Sequence, residues 1–167
     1  LNFPDFRAHE RSFQLMLQVS GRAGRTKKRG KVLIQTYNPY HKILQQVSTN
    51  DYVGMFKEQL QERRDFKYPP YFRLIKITLK HRDYTKVETA SEWFAKSLRQ
   101  VFKTNVLGPE FPPVSRVRNQ YLKDILVKIP QAQSLGKTKD AIKKINFSFE
   151  AVPAFKGVRV ILNVVNY

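Results

Sequence analysis

The feature that most constrains the fold is a change of hydrophobic period on the C-terminal side of the dipeptide Pro69-Pro70. Residues 73–80 alternate apolar and polar side chains, and this period of two predicts a strand with one buried face. Residues 84–103 and 135–149 instead repeat apolar side chains at helical spacing, which predicts two amphipathic helices. Short apolar runs predict three more strands, over residues 114–117, 121–129 and 158–165.

The predicted elements of this second half follow the order β-α-β-β-α-β. Residues 118–120 join the second and third strands as a predicted hairpin turn. This order is typical of a ferredoxin-like α+β domain, in which an antiparallel sheet carries both helices on one face. The strand alternation then puts a group of cations on the other face of the sheet: Lys76, Lys80, Lys128 and Arg159.

The first 66 residues carry a mixed pattern. Their apolar spacing predicts helices over residues 7–20, 40–47 and 51–64 and a strand over residues 31–37. Asn50 or Asp51 is suited to cap the last of these helices, because a short polar side chain accepts hydrogen bonds from free backbone N–H groups. The sequence Tyr68-Pro69-Pro70-Tyr71 predicts an extended, rigid connector. We therefore predict two domains, residues 1–66 and 67–167.

The charge balance indicates the class of partner. Lys and Arg number 31 against 13 for Asp and Glu, which gives a net charge of +18. Much of that surplus must face water, where it attracts polyanions and gains free energy from counterion release on phosphates. Nucleic acid is therefore the leading partner, and a ribosomal or RNA-binding role fits the charge equally well. An anionic membrane is the runner-up, although no apolar run is long enough to span a bilayer.

Several residue types and signals are missing from the sequence. The absence of cysteine excludes disulfides and Cys-ligated zinc within this sequence, and His9, His41 and His81 show no ligand spacing. We therefore expect no metal site here. The N-terminal residues form no signal peptide, so we expect a cytoplasmic, nucleoid-associated protein. Because the sequence does not begin with Met, we expect it to be a fragment of a longer protein.

The most informative motif is Gln-Val-Ser-Gly-Arg-Ala-Gly-Arg, at residues 18–25. Phosphoryl transfer needs cationic groups where charge develops, and arginine supplies a permanently charged fork for phosphate oxygens. Gly21 and Gly24 would let the backbone turn and approach a ligand closely. The pattern therefore predicts that Arg22 and Arg25 contact phosphate. The alternative is a solvated basic turn in which Gln18 merely caps the helix.

This octet matches motif VI of superfamily 2 helicases, Gln-x-x-Gly-Arg-x-Gly-Arg, at every fixed position. The resemblance implies that residues 1–66 are the end of a RecA-like helicase lobe 2. There the motif would face ATP and Mg²⁺ bound mainly on the other lobe. By resemblance, Arg22 and Arg25 are the catalytic arginines that approach the γ-phosphate. Gln18, Gly21 and Gly24 would be the cofactor-binding residues, with Gln18 coupling the nucleotide to the lobe interface.

The flanking residues narrow the resemblance to the PriA family of replication-restart helicases. Residues 4–11, Pro-Asp-Phe-Arg-Ala-His-Glu-Arg, resemble its lead-in to motif VI, and residues 30–37 and 66–71 resemble the segments that follow. The resemblance implies an ATP-dependent 3′ to 5′ DNA helicase that recognises stalled forks and restarts replication. Its implied partners are forked or single-stranded DNA, the acidic tail of single-stranded-DNA-binding protein and other primosome proteins.

The sequence lacks other parts of a helicase motor. It contains neither a Walker A pattern nor an Asp-Glu-x-His box, and the zinc-binding cysteines of the family are also absent. We therefore expect an N-terminal lobe outside this sequence to complete the ATP and Mg²⁺ site and to hold the zinc. This chain alone is expected to hydrolyse no ATP.

The second domain carries the predicted DNA or partner contacts. Arg116, Arg118 and Lys123 flank the predicted hairpin turn, and Tyr121 is placed to stack on a base. Lysines crowd the second helix, where their mutual repulsion favours an external anion; they are Lys137, Lys139, Lys143 and Lys144. Two alternatives remain open: a freestanding nucleic-acid-binding module without a motor, with RNA as one candidate ligand, and a docking protein for acidic peptides.

Overall fold

The computed structural model describes residues 5–23 and 30–165. The chain divides into two units, Leu1–Phe66 and Lys67–Tyr167. The second unit begins one residue before the sequence Tyr68-Pro69-Pro70-Tyr71. The extended conformation predicted for this connector is wrong, because its backbone turns and the Tyr71 N–H donates to the Tyr68 carbonyl at 3.1 Å.

The first unit is helical in its described part, with α1 (Ala8–Ser20), α2 (Lys42–Ser48) and α3 (Tyr52–Asp65). The three predicted helices are thus confirmed. Of the two cap candidates it is Asp51 that caps α3, because its Oδ1 accepts a hydrogen bond from the Gly54 N–H at 2.8 Å. A small apolar core joins the helices and consists of Phe13, Ile43, Val47 and Met55.

The strand predicted over residues 31–37 is wrong. This segment has no regular secondary structure, and its apolar side chains face solvent, with Leu33 97% exposed. A strand requires a neighbour that satisfies its backbone N–H and C=O groups. The described part of Leu1–Phe66 contains no strand that could serve, so the apolar run of Val32, Leu33 and Ile34 is left uncovered.

The second unit is an α+β domain built on an antiparallel sheet. Its elements are β1 (Phe72–His81), α4 (Tyr84–Phe102), β2 (Val106–Glu110), β3 (Arg116–Val117), β4 (Gln120–Pro130), α5 (Leu135–Glu150) and β5 (Arg159–Val165). Lys103–Asn105 and Pro153–Phe155 add single 3₁₀ turns. The long strands lie in the order β2-β4-β1-β5, and β3 extends the sheet as a hairpin with β4.

Both helices of this unit cover the same face of the sheet. The register pairs Ile77 with Ile125, so the inward residues of β1 and β4 form one apolar layer. Phe94 of α4 and Phe149 of α5 pack on that layer with ring centroids 5.3 Å apart. Because strand side chains alternate, Lys76 and its outward neighbours are left on a face without helices.

The second strand of this unit differs from its predicted position. The sequence placed it at residues 114–117, whereas the sheet strand is β2, and only Arg116–Val117 pair in the predicted region. Gly108 and Pro109 interrupt the apolar pattern of β2 and conceal it in the sequence. They are tolerated because β2 is an edge strand whose register shifts between Leu107 and Glu110.

Candidate functional site

The described part of the motif, residues 18–23, lies at the C-terminal end of α1 and in the turn that follows. Gln18 is exposed on the last turn of this helix, and Arg22 is exposed in the turn that follows. The Arg22 N–H donates to the Val19 carbonyl at 3.1 Å. Among the described residues, no carboxylate lies within ion-pair distance of the Arg22 guanidinium. Gly24 and Arg25, the other two predicted motif residues, lie outside the described residues.

Gly21 does not use the conformational freedom that was expected of it. Its φ of −65° and ψ of −14° are ordinary right-handed helical values, and its N–H donates to the Leu17 carbonyl at 2.9 Å. A Cβ added there would lie 3.3 Å from that same carbonyl oxygen. The glycine therefore avoids crowding where the helix ends, whereas the turn itself requires no special backbone angle.

An ion pair that the sequence analysis missed anchors the motif helix. Glu10 of α1 accepts a hydrogen bond from the Arg63 Nη2 of α3 at 2.6 Å, and the Arg63 side chain is only 16% exposed. The Arg63 guanidinium also lies 5.2 Å from the centroid of the Phe6 ring. Glu10 had no partner near it in sequence to reveal this role. The pair fixes α1 against α3 and so positions the turn that carries Arg22.

The predicted basic hairpin is present in the second unit. Arg118 and Asn119 have φ values of 47° and 61°, which are the left-handed values that a two-residue type I′ turn requires. Arg116 donates to the Asn119 side-chain carbonyl, and its guanidinium lies 5.0 Å from the Tyr121 ring centroid. Arg118 is exposed at the tip of the turn. The hairpin thus presents two arginines on one rigid support.

Tyr121 is largely engaged within the unit, in contrast to its predicted role as an open stacking ring. Its ring and that of Tyr84 form an edge-to-face contact, with 5.5 Å between centroids and 87° between the ring planes, and Arg116 lies over its ring. The side chain also packs against the apolar core. It is therefore a support for neighbouring groups, and the exposed ring beside it is Tyr84.

Lys123 is not available as the surface contact that was predicted. It is 6% exposed, and its Nζ lies 2.8 Å from the Glu88 Oε2 of α4. The Nζ also lies 4.3 Å from the centroid of the Phe111 ring. The cause is the register: Lys123 pairs with Leu79, an inward-facing residue, so its side chain points towards α4.

The lysines of α5 lie on its solvent side. Lys137, Lys139, Lys143 and Lys144 are all exposed, and within the described ranges none of them forms an ion pair. Phe147 is exposed beside Lys143 and Lys144, and these three residues line one shallow depression with Ser148. This face of α5 can therefore attract an anionic partner of either chemistry, phosphate or carboxylate.

The basic residues predicted for the open face of the sheet are partly neutralised. Asp124 forms an ion pair with Lys76, with 2.7 Å between Oδ2 and Nζ, and its Oδ1 accepts a hydrogen bond from the Thr78 hydroxyl at 2.6 Å. The ammonium of Lys128 lies 3.8 Å from the ring centroid of Tyr68. Burial lowers the pKa of Lys128 below its ordinary value, and the positive charge of Lys67 lowers it further.

Residues 5–23 and 30–165 contain neither a cluster of metal-ligating side chains nor a helix that could span a membrane. No three His, Asp or Glu side chains there are grouped as a metal site would require. No helix of those ranges combines the length and the apolar character needed to cross a bilayer.

Comparison with known proteins identifies the family. Residues 64–162 match the family described as Primosomal protein N C-terminal domain. The chain is 39% identical over 138 residues, or 81% of its length, to a protein of Bacillus subtilis named Replication restart protein PriA. Proteins of the same name from Synechocystis and Haemophilus influenzae are 37% and 36% identical over 87% and 80% of the chain.

The chain spans only part of these relatives, with 17% of the Bacillus protein and 18% of each of the other two. The family match begins before β1 and ends at residue 162, within β5, so it covers most of the antiparallel domain. The chain belongs to the primosomal protein N C-terminal domain family and corresponds to the C-terminal part of PriA proteins.

Proposed function

We propose that the chain is the C-terminal part of an ATP-dependent 3′ to 5′ DNA helicase that recognises stalled forks and restarts replication. In this proposal Leu1–Phe66 ends a RecA-like second motor lobe, and Lys67–Tyr167 is a ferredoxin-like domain that binds DNA and partner proteins. The observation that carries the proposal is the Arg22 guanidinium, which is exposed beyond α1 without a carboxylate partner among the described residues.

The uncovered apolar segment supports the assignment to a larger lobe. Val32, Leu33 and Ile34 have the composition of a buried strand, yet all three are exposed here. Exposed apolar runs of this kind mark surfaces that are covered in the complete assembly. The remaining part of a RecA-like lobe would cover these three side chains.

The residues present fit a nucleotide phosphate group. Arg22 offers a permanently charged fork at the end of a helix that the Glu10–Arg63 pair holds in place. Arg25 is proposed to contact the same phosphate, and Gln18, Gly21 and Gly24 to line the site. ATP with Mg²⁺, held mainly by the other lobe, supplies the phosphoryl transfer that drives the motor.

The test is Arg22→Ala in the full-length protein. ATP turnover is expected to fall by about 10³-fold or more, which is the range for removing an arginine finger, while DNA affinity stays close to that of the wild type. Arg64→Ala, which removes an exposed arginine of α3, is the matched control and should leave turnover unchanged. Equal turnover in the wild type and Arg22→Ala would contradict the motor proposal.

The proposed partners are forked or single-stranded DNA, the acidic tail of single-stranded-DNA-binding protein and other primosome proteins. The exposed lysines of α5 and the arginines of the hairpin supply the positive charge that each of these ligands requires. Binding of forked DNA by this chain is expected to weaken steeply as salt increases, because phosphate contacts release counterions. Fluorescence anisotropy at several salt concentrations measures that slope.

A further inference from the structure

Two exposed aromatic rings stack on one another at one end of the sheet, so a base can stack only on the outer side of the pair. Tyr84 is the first residue of α4, and Phe111 follows the last residue of β2. Their ring centroids are 5.7 Å apart, and the ring planes differ by 18°. Tyr84 is 49% exposed and Phe111 40%. We call these two residues the aromatic platform.

The partly buried Tyr121 and the buried Lys123 hold the two rings in position. The Tyr121 ring meets Tyr84 edge-on, with 5.5 Å between centroids. The Lys123 ammonium lies 4.3 Å from the Phe111 centroid and is itself fixed by Glu88. Because these contacts order the rings in the free protein, a ligand would lose little conformational entropy of the protein on binding to them.

Cations surround the platform. Arg116 lies over Tyr121, which is the ring that supports Tyr84, and Arg118 is exposed at the tip of the same hairpin. Arg82 is exposed two residues before Tyr84. Of the acidic residues nearby, Glu88 is neutralised by Lys123, whereas Asp83, which caps α4, and Glu110 are exposed and retain their charge against the three arginines. The exposed charge around the rings is therefore mainly positive.

Flat aromatic rings with guanidinium groups beside them match the chemistry of an unpaired nucleotide. The π-face of a base stacks on an aromatic side chain, and the adjoining phosphates bind arginine. A base within a duplex is already stacked on its neighbours and cannot reach the rings. We propose that the aromatic platform stacks unpaired bases of single-stranded DNA, while Arg116 and Arg118 bind the phosphates. This assignment rests on the proposed DNA-binding function.

The experiment measures anisotropy of a fluorescent oligo-dT bound to the full chain at several salt concentrations. Phe111→Leu keeps apolar cover over Lys123 but removes the aromatic face, and it is expected to weaken binding roughly tenfold, as loss of one stacked base does. The slope of log K against log salt should stay unchanged in this variant. Arg118→Ala should instead reduce that slope by about 0.7, the value for one phosphate of a single strand.

A second stacked pair provides a matched control. Tyr52 and Phe56 of α3 also form a near-parallel pair, with centroids 6.1 Å apart at 17°, and they are 49% and 47% exposed. We expect exposure and stacking of two rings alone to be insufficient for binding a base. Phe56→Ala should therefore leave oligo-dT affinity unchanged. Thermal unfolding of each variant, followed by circular dichroism, verifies that the chain remains folded during the binding measurements.

The outcomes separate this inference from the function on which it rests. If the wild type binds oligo-dT and Phe111→Leu binds equally well, the platform is wrong and DNA binding stands. If the wild type binds neither oligo-dT nor forked DNA, the DNA-binding function itself fails. Tighter binding to duplex DNA, or to oligo-U, would overturn the assignment to unpaired DNA bases.

Discussion

The substitution Glu88→Gln removes the negative charge that neutralises Lys123 inside the C-terminal unit. The two carboxylate oxygens of Glu88, Oε1 and Oε2, lie 2.9 and 2.8 Å from the Lys123 Nζ. The Lys123 side chain is 7% exposed and the Glu88 side chain 34%. The variant therefore keeps an ammonium group where little water reaches it and takes away its counter-charge.

The expected loss in the free energy of unfolding lies between the values for two known kinds of ion pair. Removing one partner of a fully buried ion pair costs about 3–5 kcal/mol, and a solvent-exposed pair contributes about 0–1 kcal/mol. Glu88 is one-third exposed, so water screens part of its charge, and the glutamine oxygen still accepts a hydrogen bond from Lys123. We expect the free energy of unfolding to fall by about 2 kcal/mol, which lowers the Tm by roughly 10 °C.

Urea unfolding monitored by tryptophan fluorescence measures this loss. Trp93 is the only tryptophan in the sequence and packs against Phe149 in the core of the same unit, so its emission reports on that unit. Glu92→Gln makes the same change one turn further along α4, at an exposed residue with no ion pair in the described part of the chain. The control should stay within about 0.5 kcal/mol of the wild type. Equal stability of the two variants would refute the argument.

Two further predictions concern the same sheet. Gly108→Ala should destabilise the unit by about 2 kcal/mol, because Gly108 has a φ of +88° and an added Cβ would lie 2.6 Å from the Asp124 carbonyl oxygen. Gly136→Ala, at an uncrowded position, is the control. Equal urea unfolding midpoints for the two variants would contradict the prediction. Lys128 has a lowered pKa in the folded state, so just below pH 10.5 the unfolded state binds more protons and stability should rise with pH. Lys128→Met should lose that rise, and identical stability–pH curves for the variant and the wild type would show the reasoning to be wrong.

The most predictable elements were those with a local period and a local cap. The predicted helix over residues 84–103 is α4 (Tyr84–Phe102), which begins where Asp83 accepts a hydrogen bond from the Lys86 N–H. The helix predicted over residues 135–149 is α5 (Leu135–Glu150), capped by Ser134. In each case the apolar stripe and the cap lie within a few residues of one another, so the sequence contains both signals.

The candidate site was less predictable than the fold. The motif at residues 18–25 identified Arg22 from spacing alone, and its nucleotide role stays a prediction. No comparable signal indicated that Lys123 faces α4, because alternation assigns a residue to a face without saying which face the helices cover. The Glu10–Arg63 pair joins residues 53 positions apart, and no local pattern connects them.

The sequence by itself determined the helices, three of the long strands, the position of the motif at residues 18–25 and the net positive charge. Only the tertiary structure decided that β2 replaces the predicted strand at residues 114–117, that residues 31–37 stay unpaired, and that Tyr84 and Phe111 stand exposed together. The reason is physical. Periodicity and capping arise from neighbours along the chain, whereas strand pairing, burial of charge and grouping of side chains depend on residues that folding alone brings into contact.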